Sequence, residues 1–271
     1  MNANWVTTIA MALLISAAPA MAQTPQPPPD PANTGQTKEV VPEPEGTGWA
    51  TLIKDTGRDF ASFPRRKSTW FLLAGGAAAA LAAHPADDYV QSHIVGNETA
   101  ERIFKAGQIL GSAGFHVGSA VGLWVVGRYV VPSEGESRTN KVSHLGFDLL
   151  RAQIVAQALV QTMKVVGQRD RPTGECCAFP SGHAASAFAA ASVLERHFGY
   201  RAWGPALIGA SYVAASRLVD NRHFLSDVIF GAALGEAVGW TVVGDHGRSQ
   251  FALQPVPVRG GMMIALVRTT E

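Results

Sequence analysis

Residues 216–227 have the sequence SRLVDNRHFLSD, in which an arginine precedes a histidine that is followed four residues later by an aspartate. If the segment is helical, this spacing places His223 and Asp227 on one face, close enough for the carboxylate to hold an imidazole N–H. A carboxylate so placed fixes the tautomer of the ring and leaves its other nitrogen as a nucleophile. Arg217 adds a cation nearby. Taken alone, the pair could equally cap a surface helix.

A second segment, PSGH at residues 180–183, precedes an alanine-rich stretch that favours a helix. Ser181 is a good N-cap, and Gly182 lets the backbone approach a ligand closely, so N–H groups of the first turn can point at an anion. His183 projects from this turn, where it could donate a proton to a leaving oxygen. An ordinary helix cap is the alternative.

A third segment, KVVGQRDRP at residues 164–172, supplies two more cations. Lys164 and Arg171 are separated by nearly two helical turns, so they share a face if the helix persists through Gly167. An arginine fork and a lysine point charge together suit a phosphate dianion. The alternative is a solvated basic face at the end of a helix.

The three segments lie within 64 residues and together indicate phosphoryl-transfer chemistry. They resemble the type-2 phosphatidic acid phosphatase superfamily, which also contains bacterial non-specific acid phosphatases and vanadium haloperoxidases. The match holds at every position of K-x6-RP, PSGH and SR-x5-H-x3-D, and the resemblance covers roughly residues 140–245. One departure is the seven-residue gap between Pro172 and Pro180, which leaves little room for a substrate-recognition loop.

The resemblance implies an all-α core of about six helices that works as a metal-independent phosphomonoesterase on a lipid phosphate or a small organic phosphate. It implies that His223 attacks phosphorus to form a phosphohistidine, that Asp227 orients His223, and that His183 protonates the leaving group and later activates water. The phosphate-binding residues that it implies are Lys164, Arg171, Ser181, Gly182 and Arg217.

Two other functions stay open at this point. A haloperoxidase would hold vanadate in the same pocket, which is the one case in which a cofactor is expected. A non-catalytic membrane protein is the other alternative, and the intact histidines and aspartate disfavour it. The formal net charge of +1 and the absence of a Lys/Arg-rich run exclude a polybasic nucleic-acid surface. The expected partner is therefore a phosphorylated lipid or small molecule, with membrane association as a further expectation.

The two cysteines, Cys176 and Cys177, are adjacent in the chain. Because a bond between neighbours is geometrically strained, we predict two small apolar loop residues at these positions. A redox-labile or intermolecular pair is the alternative.

The N-terminal region predicts export. Residues 1–22 have the pattern of a signal peptide, with an apolar run followed by the small-x-small sequence Ala20-Met21-Ala22. Residues 23–48 are proline-rich and predict a disordered linker. The helical phosphatase domain is expected at 49–249, and a small β-hairpin with a glycine turn at 250–271.

Apolar periodicity predicts helices at 50–62, 69–84, 99–131, 142–167, 182–198, 201–217 and 225–244, with breaks at His116 and at glycines in the third of them. Residues 68–84 and 109–127 are nearly apolar enough to span a membrane. A signal peptide followed by six spans would put the site in the cytoplasm and the basic residues 65–67 outside, against the positive-inside tendency. We therefore expect a protein exported to the cell envelope, periplasmic or periplasm-facing and soluble or peripherally bound, with an integral membrane protein as the alternative.

Overall fold

The computed structural model describes residues 46–132 and 139–244 with their side chains, and residues 249–258 and 261–270 as backbone strands. The predicted signal peptide and nearly all of the predicted linker lie outside the described residues. The helices of the described part are α1 (Trp49–Ser62), α2 (Lys67–Ala83), α3 (Asp87–Ile94), α4 (Glu98–Phe104), α5 (Gly107–Leu110), α6 (Ala113–Tyr129), α7 (Lys141–Gly167), α8 (Gly182–Phe198), α9 (Tyr200–Val219) and α10 (Leu225–Val243).

The all-α prediction is confirmed for residues 46–132 and 139–244. Their six longest helices, each of 17 residues or more, are α2, α6, α7, α8, α9 and α10. Near the C-terminus, strands β1 (Ser249–Val258) and β2 (Gly261–Thr270) pair antiparallel, with Val258 opposite Gly261. This pairing is the predicted hairpin.

The region 99–131 breaks between α4 and α5 and again at Gly111–Ser112, so a break at a glycine is confirmed and the predicted break at His116 is wrong. Ser112 explains the second break, since its Oγ accepts the N–H of Phe115 at 3.1 Å and so caps α6. His116 lies inside α6, where a neutral imidazole interrupts no backbone hydrogen bond.

Helices α8 and α10 pack closely because small residues face each other along both. A Cβ added to Gly231 would lie 2.6 Å from the carbonyl oxygen of Ser181, and one added to Gly235 would lie 2.3 Å from that of Ala185. These contacts advance in the same direction on both helices, so the helices run parallel. Their N-terminal ends meet where the N–H of Ser181 donates to the carbonyl of Asp227 at 3.1 Å.

Helix α7 packs against α6 and carries Lys164. Asn140 caps its start by accepting the N–H of Ser143 at 2.9 Å. A Cβ added to Gly146 would lie 2.2 Å from the backbone nitrogen of Trp124, so the two helices cross with their backbones nearly touching. The helix ends at Gly167, followed by Gln168 in the left-handed region with φ of 40°.

Within the described residues, α10 is the one helix long and apolar enough to cross a membrane by length and composition, and 72% of its apolar stretch is buried inside the protein. A buried core helix of a water-soluble protein has the same character. By itself, α10 is therefore weak evidence for a span.

Candidate active site

A cavity of about 340 Å³ is bordered by α5, α6, α7, α8 and α9 and by the segments that follow α7 and α9. It is lined by residues from all three motifs: Lys164, Arg171, Gly182, His183, Arg217 and His223. The two remaining predicted residues do not line it. Ser181 is fully buried and its Oγ caps α8 by accepting the N–H of Ala184 at 3.4 Å, while Asp227 is fully buried behind His223.

Arg171 reaches the cavity by a different route from the one predicted. Because α7 ends at Gly167, Arg171 lies in the following loop, and it does not share a helix face with Lys164. The loop folds back on itself, since the N–H of Arg171 donates to the carbonyl of Glu175 at 2.7 Å. The prediction that Lys164 and Arg171 share a helix face is therefore wrong, although both cations line one cavity.

The ammonium group of Lys164 is held by the backbone of the same loop. Its Nζ donates to the carbonyl oxygen of Cys177 and lies 3.5 Å from that of Ala178. Burial and, to a smaller extent, the charge of Arg171 lower the pKa of Lys164, the charge of Asp227 opposes them, and the net pKa is about 8. At neutral pH the side chain is still mostly a cation.

His223 and Asp227 adjoin without sharing a helix face. Helix α10 begins at Leu225, so His223 precedes it, and Nδ1 of His223 lies 3.8 Å from Oδ2 of Asp227. This distance is within reach of an ion pair and too long for a hydrogen bond. Oδ2 instead accepts the backbone N–H of Phe224 at 2.9 Å. The predicted carboxylate–imidazole hydrogen bond is therefore not made in this conformation.

The two histidines of the cavity favour the neutral form. Burial lowers the pKa of His223, the charge of Asp227 raises it, and the nearby cations lower it again, for a net decrease. Burial likewise lowers the pKa of His183 to about 4, assisted by the charges of Arg217 and His223. The ring of His183 also packs against the turn between α5 and α6, where a Cβ on Gly111 would lie 2.9 Å from its Cδ2.

The remaining predicted cation, Arg217, lies at the C-terminal end of α9. Its Nε donates to Oγ of Ser216 at 3.1 Å and its Nη2 donates to the carboxylate of Asp220. These contacts hold the guanidinium at the wall of the cavity.

The motifs alone miss four polar residues of the cavity wall: Gln108, Gln157, Gln161 and Arg222. Gln157 donates from Nε2 to Oγ of Ser186 at 2.6 Å and so ties α7 to α8. The signal for two of them is in the sequence, because Gln157 and Gln161 precede Lys164 by seven and three residues and share its helical face.

Arg222 lines the cavity and forms an ion-pair group with Arg171 and Glu175. Nη1 of Arg222 and Nη1 of Arg171 donate to the same Oε2 of Glu175, at 2.8 and 3.1 Å. The Glu175 side chain is 58% exposed. An anion that enters the cavity therefore competes with an exposed carboxylate for these guanidinium groups.

Cys176 and Cys177 form a disulfide bond, so the prediction of two unbonded loop residues is wrong. The backbone of Cys177 is left-handed, with φ of 78°. The carbonyl of Cys177 is the acceptor for Lys164, which places the disulfide in the loop that borders the site.

The comparisons with known proteins agree with this architecture. Residues 145–250 match the sequence model of the PAP2 superfamily. A curated relative, lipid A 1-phosphatase of Porphyromonas gingivalis, is 38% identical over 99 residues, which are 34% of this chain and 22% of the relative. This chain therefore spans less than a quarter of that relative's length.

Among solved structures, a transmembrane PAP2-type phosphatidylglycerolphosphate phosphatase from Bacillus subtilis has a similar fold. The TM-score is 0.50 at 20% identity, over 65% of this chain and 92% of the other. At this identity the likeness establishes the fold. The sequence that matches the PAP2 superfamily model contains all three motifs, and the helical fold around it is similar to that of a PAP2-type phosphatase.

Proposed function

We propose that this protein is a phosphatase that hydrolyses a phosphate monoester of a lipid, through a phosphohistidine intermediate and without a metal or other cofactor. The observation that carries the proposal is one cavity lined by His183 and His223 together with Lys164, Arg171 and Arg217. Two imidazoles can supply a nucleophile and an acid–base group, and three cations can neutralise the charge that develops on the phosphoryl oxygens.

In the first half of the proposed reaction, the lone pair on Nε2 of His223 attacks phosphorus. A P–N bond forms and the P–O bond to the leaving group breaks. His183 in its protonated form gives its proton to the leaving oxygen, so the lipid leaves as an alcohol. Nδ1 of His223 faces the Asp227 carboxylate at 3.8 Å, which favours the positive charge that the ring acquires.

In the second half, His183 is neutral and takes a proton from a water molecule. The water oxygen attacks phosphorus and the P–N bond breaks, which releases inorganic phosphate and restores His223. The backbone N–H groups at the start of α8, where Gly182 lines the cavity, are oriented to hold phosphoryl oxygens throughout.

A lipid substrate is supported by the surroundings of the cavity and by the relatives. Val165 and Val166 directly follow Lys164 at the end of α7 and are 70% and 81% exposed. Exposed apolar residues beside a phosphate site suit a substrate with an acyl or prenyl chain. The matched proteins from P. gingivalis and B. subtilis are named as phosphatases of lipid A and of phosphatidylglycerolphosphate.

The substrate class is tested by comparing phosphate release from phosphatidate, an isoprenyl diphosphate and p-nitrophenyl phosphate in one enzyme preparation. We expect kcat/KM to be highest for a lipid substrate. Equal or higher values for p-nitrophenyl phosphate would favour a small organic phosphate instead. Bromide oxidation with added vanadate and peroxide, without phosphate release, would contradict the phosphatase assignment.

We also propose that the protein acts at the cell envelope with its site facing the periplasm. The predicted export signal supports this location, as do exposed apolar residues on α2, among them Trp70, Phe71 and Leu81. These residues suit contact with a membrane. The protein should therefore sediment with membranes; recovery in the soluble fraction at low salt would contradict membrane contact.

The lowered pKa of His183 predicts how anion binding depends on pH. The pKa of His183 is about 4 in this structure, so at neutral pH the ring is uncharged. A bound anion favours the protonated ring and raises that pKa, so binding takes up a proton between pH 4 and the raised value. Affinity should therefore increase as pH falls through this window, by up to about tenfold per pH unit for one linked proton.

Sulfate is the suitable probe because it keeps its double charge over this range. We expect calorimetry to show sulfate affinity weakening as pH rises toward neutral, with a shallower slope in His183→Asn. His93→Asn, a change at an exposed histidine of α3, should keep the original slope. An unchanged slope in His183→Asn would show that another group takes up the proton.

A further inference from the structure

Arg169 lies behind the cavity and connects two buried carboxylates. Its Nη1 donates to Oδ1 of Asp227 at 2.6 Å and to Oγ of Ser226 at 2.8 Å, and its Nη2 donates to Oδ2 of Asp87 at 2.9 Å. The guanidinium also stacks over the ring of Phe224, 4.4 Å from its centroid. One cation therefore joins Asp87 of α3 to Asp227 of α10.

Asp87 holds this arginine from the start of α3, and it is itself firmly placed. Its Oδ1 accepts the N–H of Ser226 at 2.9 Å, and its Oδ2 accepts the hydroxyl of Ser226 at 2.6 Å and faces Nδ1 of His84 at 2.9 Å. Burial raises the pKa of Asp87, but the hydrogen bonds from Ser226, Arg169 and His84 outweigh burial and lower it overall. Asp87 is thus an anion that fixes the fork of Arg169.

Asp227 is left with a single orientation. Arg169 holds Oδ1, and the backbone N–H of Phe224 donates to Oδ2 at 2.9 Å. Oδ2 also lies 3.8 Å from Nδ1 of His223. A small displacement of the carboxylate would bring Oδ2 into hydrogen-bond range of the ring or move it away.

We propose that Arg169 is a positioning residue for His223, acting through Asp227: it turns Oδ2 toward the imidazole and partly offsets the carboxylate charge that the imidazole experiences. The proposal rests on the proposed function, because it presupposes that His223 is the nucleophile. Arg169 does not line the cavity, so it acts on the nucleophile without touching the substrate.

Titratable and charged groups from several elements surround His223. Asp227 comes from α10, Lys164 from α7, Arg171 from the loop after α7 and His183 from α8. Asp87 of α3 lines a small cleft together with His223. Among these groups, the carboxylates of Asp87 and Asp227 are the ones whose charge Arg169 partly neutralises.

The test is the pH profile of kcat/KM for Arg169→Gln and Arg169→Lys, with Arg58→Gln as the matched control. Arg58 pairs with the buried Asp55 at 3.2 Å and does not line the cavity. In Arg169→Gln the uncompensated Asp227 raises the pKa of His223, so the acidic limb should move to higher pH. We expect kcat to fall by roughly 10²-fold, as for a misplaced catalytic group, with KM within about twofold.

Arg169→Lys keeps the charge and loses the fork, so its acidic limb should stay in place while kcat still falls. A folded Arg169→Gln with an unmoved limb, or one whose KM alone rises, would overturn the positioning role. If Arg169→Gln does not fold, wild-type kcat in Arg169→Lys would overturn it. His223→Ala in the same assay separates the two proposals, because activity without His223 would defeat the proposed mechanism itself.

Discussion

Replacing His223 with alanine should lower kcat for phosphate release by at least about 10⁴-fold, the scale expected when a covalent nucleophile is removed. His223 is 7% exposed, precedes α10 and has no hydrogen-bond partner at Nδ1 among the described residues. The fold should therefore tolerate its loss. Sulfate binding should persist, because the cations Lys164, Arg171 and Arg217 stay in place.

A matched control is His93→Ala, which removes an exposed histidine of α3 and should keep wild-type kcat. Intermediate formation is measured directly by quenching turnover at alkaline pH, where phosphohistidine survives, and locating the added phosphoryl group by mass spectrometry. It should lie on the peptide that contains His223. Phosphate release by His223→Ala near the wild-type rate, or a phosphoryl group on another residue, would contradict the mechanism.

Much of the site could be predicted because its motifs depend on local structure. Ser181 caps α8 as its residue type predicts, and Gly182 and His183 consequently occupy the first turn. Asn221 adopts a positive φ of 54° in the turn between α9 and α10, as asparagine in a turn permits. The positions of the core helices along the chain also follow from apolar periodicity, since each helix buries one side against its neighbours.

The parts that could not be predicted depend on contacts between distant segments or on the place where a helix ends. Lys164 and Arg171 share the cavity because α7 stops at Gly167 and the loop turns back, which a spacing of seven residues does not reveal. Asp87 reaches Ser226 across 139 residues of sequence, so no local pattern announces it. Arg169 lies two residues before a motif arginine, and the sequence does not distinguish it from a solvated cation because its partners Asp87 and Asp227 belong to distant segments.

The largest effect on stability is expected at a buried ion-pair group elsewhere in the bundle. Arg151 of α7 donates from Nε and Nη2 to the two oxygens of Asp59 at 2.9 and 2.8 Å, and from Nη1 to Asp148 at 3.0 Å. The other oxygen of Asp148 faces Nε2 of His197 at 2.9 Å. Burial lowers the pKa of Arg151, but Asp59 outweighs burial and raises it overall. The group thus joins α1, α7 and α8 through one buried cation.

Arg151→Ala should lower the free energy of unfolding by about 3–5 kcal/mol, because it leaves Asp59 and Asp148 buried without their cation. Urea unfolding measures this loss, with Arg201→Ala at an exposed position of α9 as the control, expected within about 0.5 kcal/mol of wild type.

The double variant Arg151→Met with Asp59→Leu should be more stable than Arg151→Ala, since replacing paired charges with apolar side chains removes their desolvation cost. A small loss in Arg151→Ala, equal to that of the control, would show that water reaches the carboxylates and replaces the arginine. Neither Arg151 nor Asp59 lines the cavity, so kcat per folded molecule should remain that of the wild type and separate this effect from catalysis.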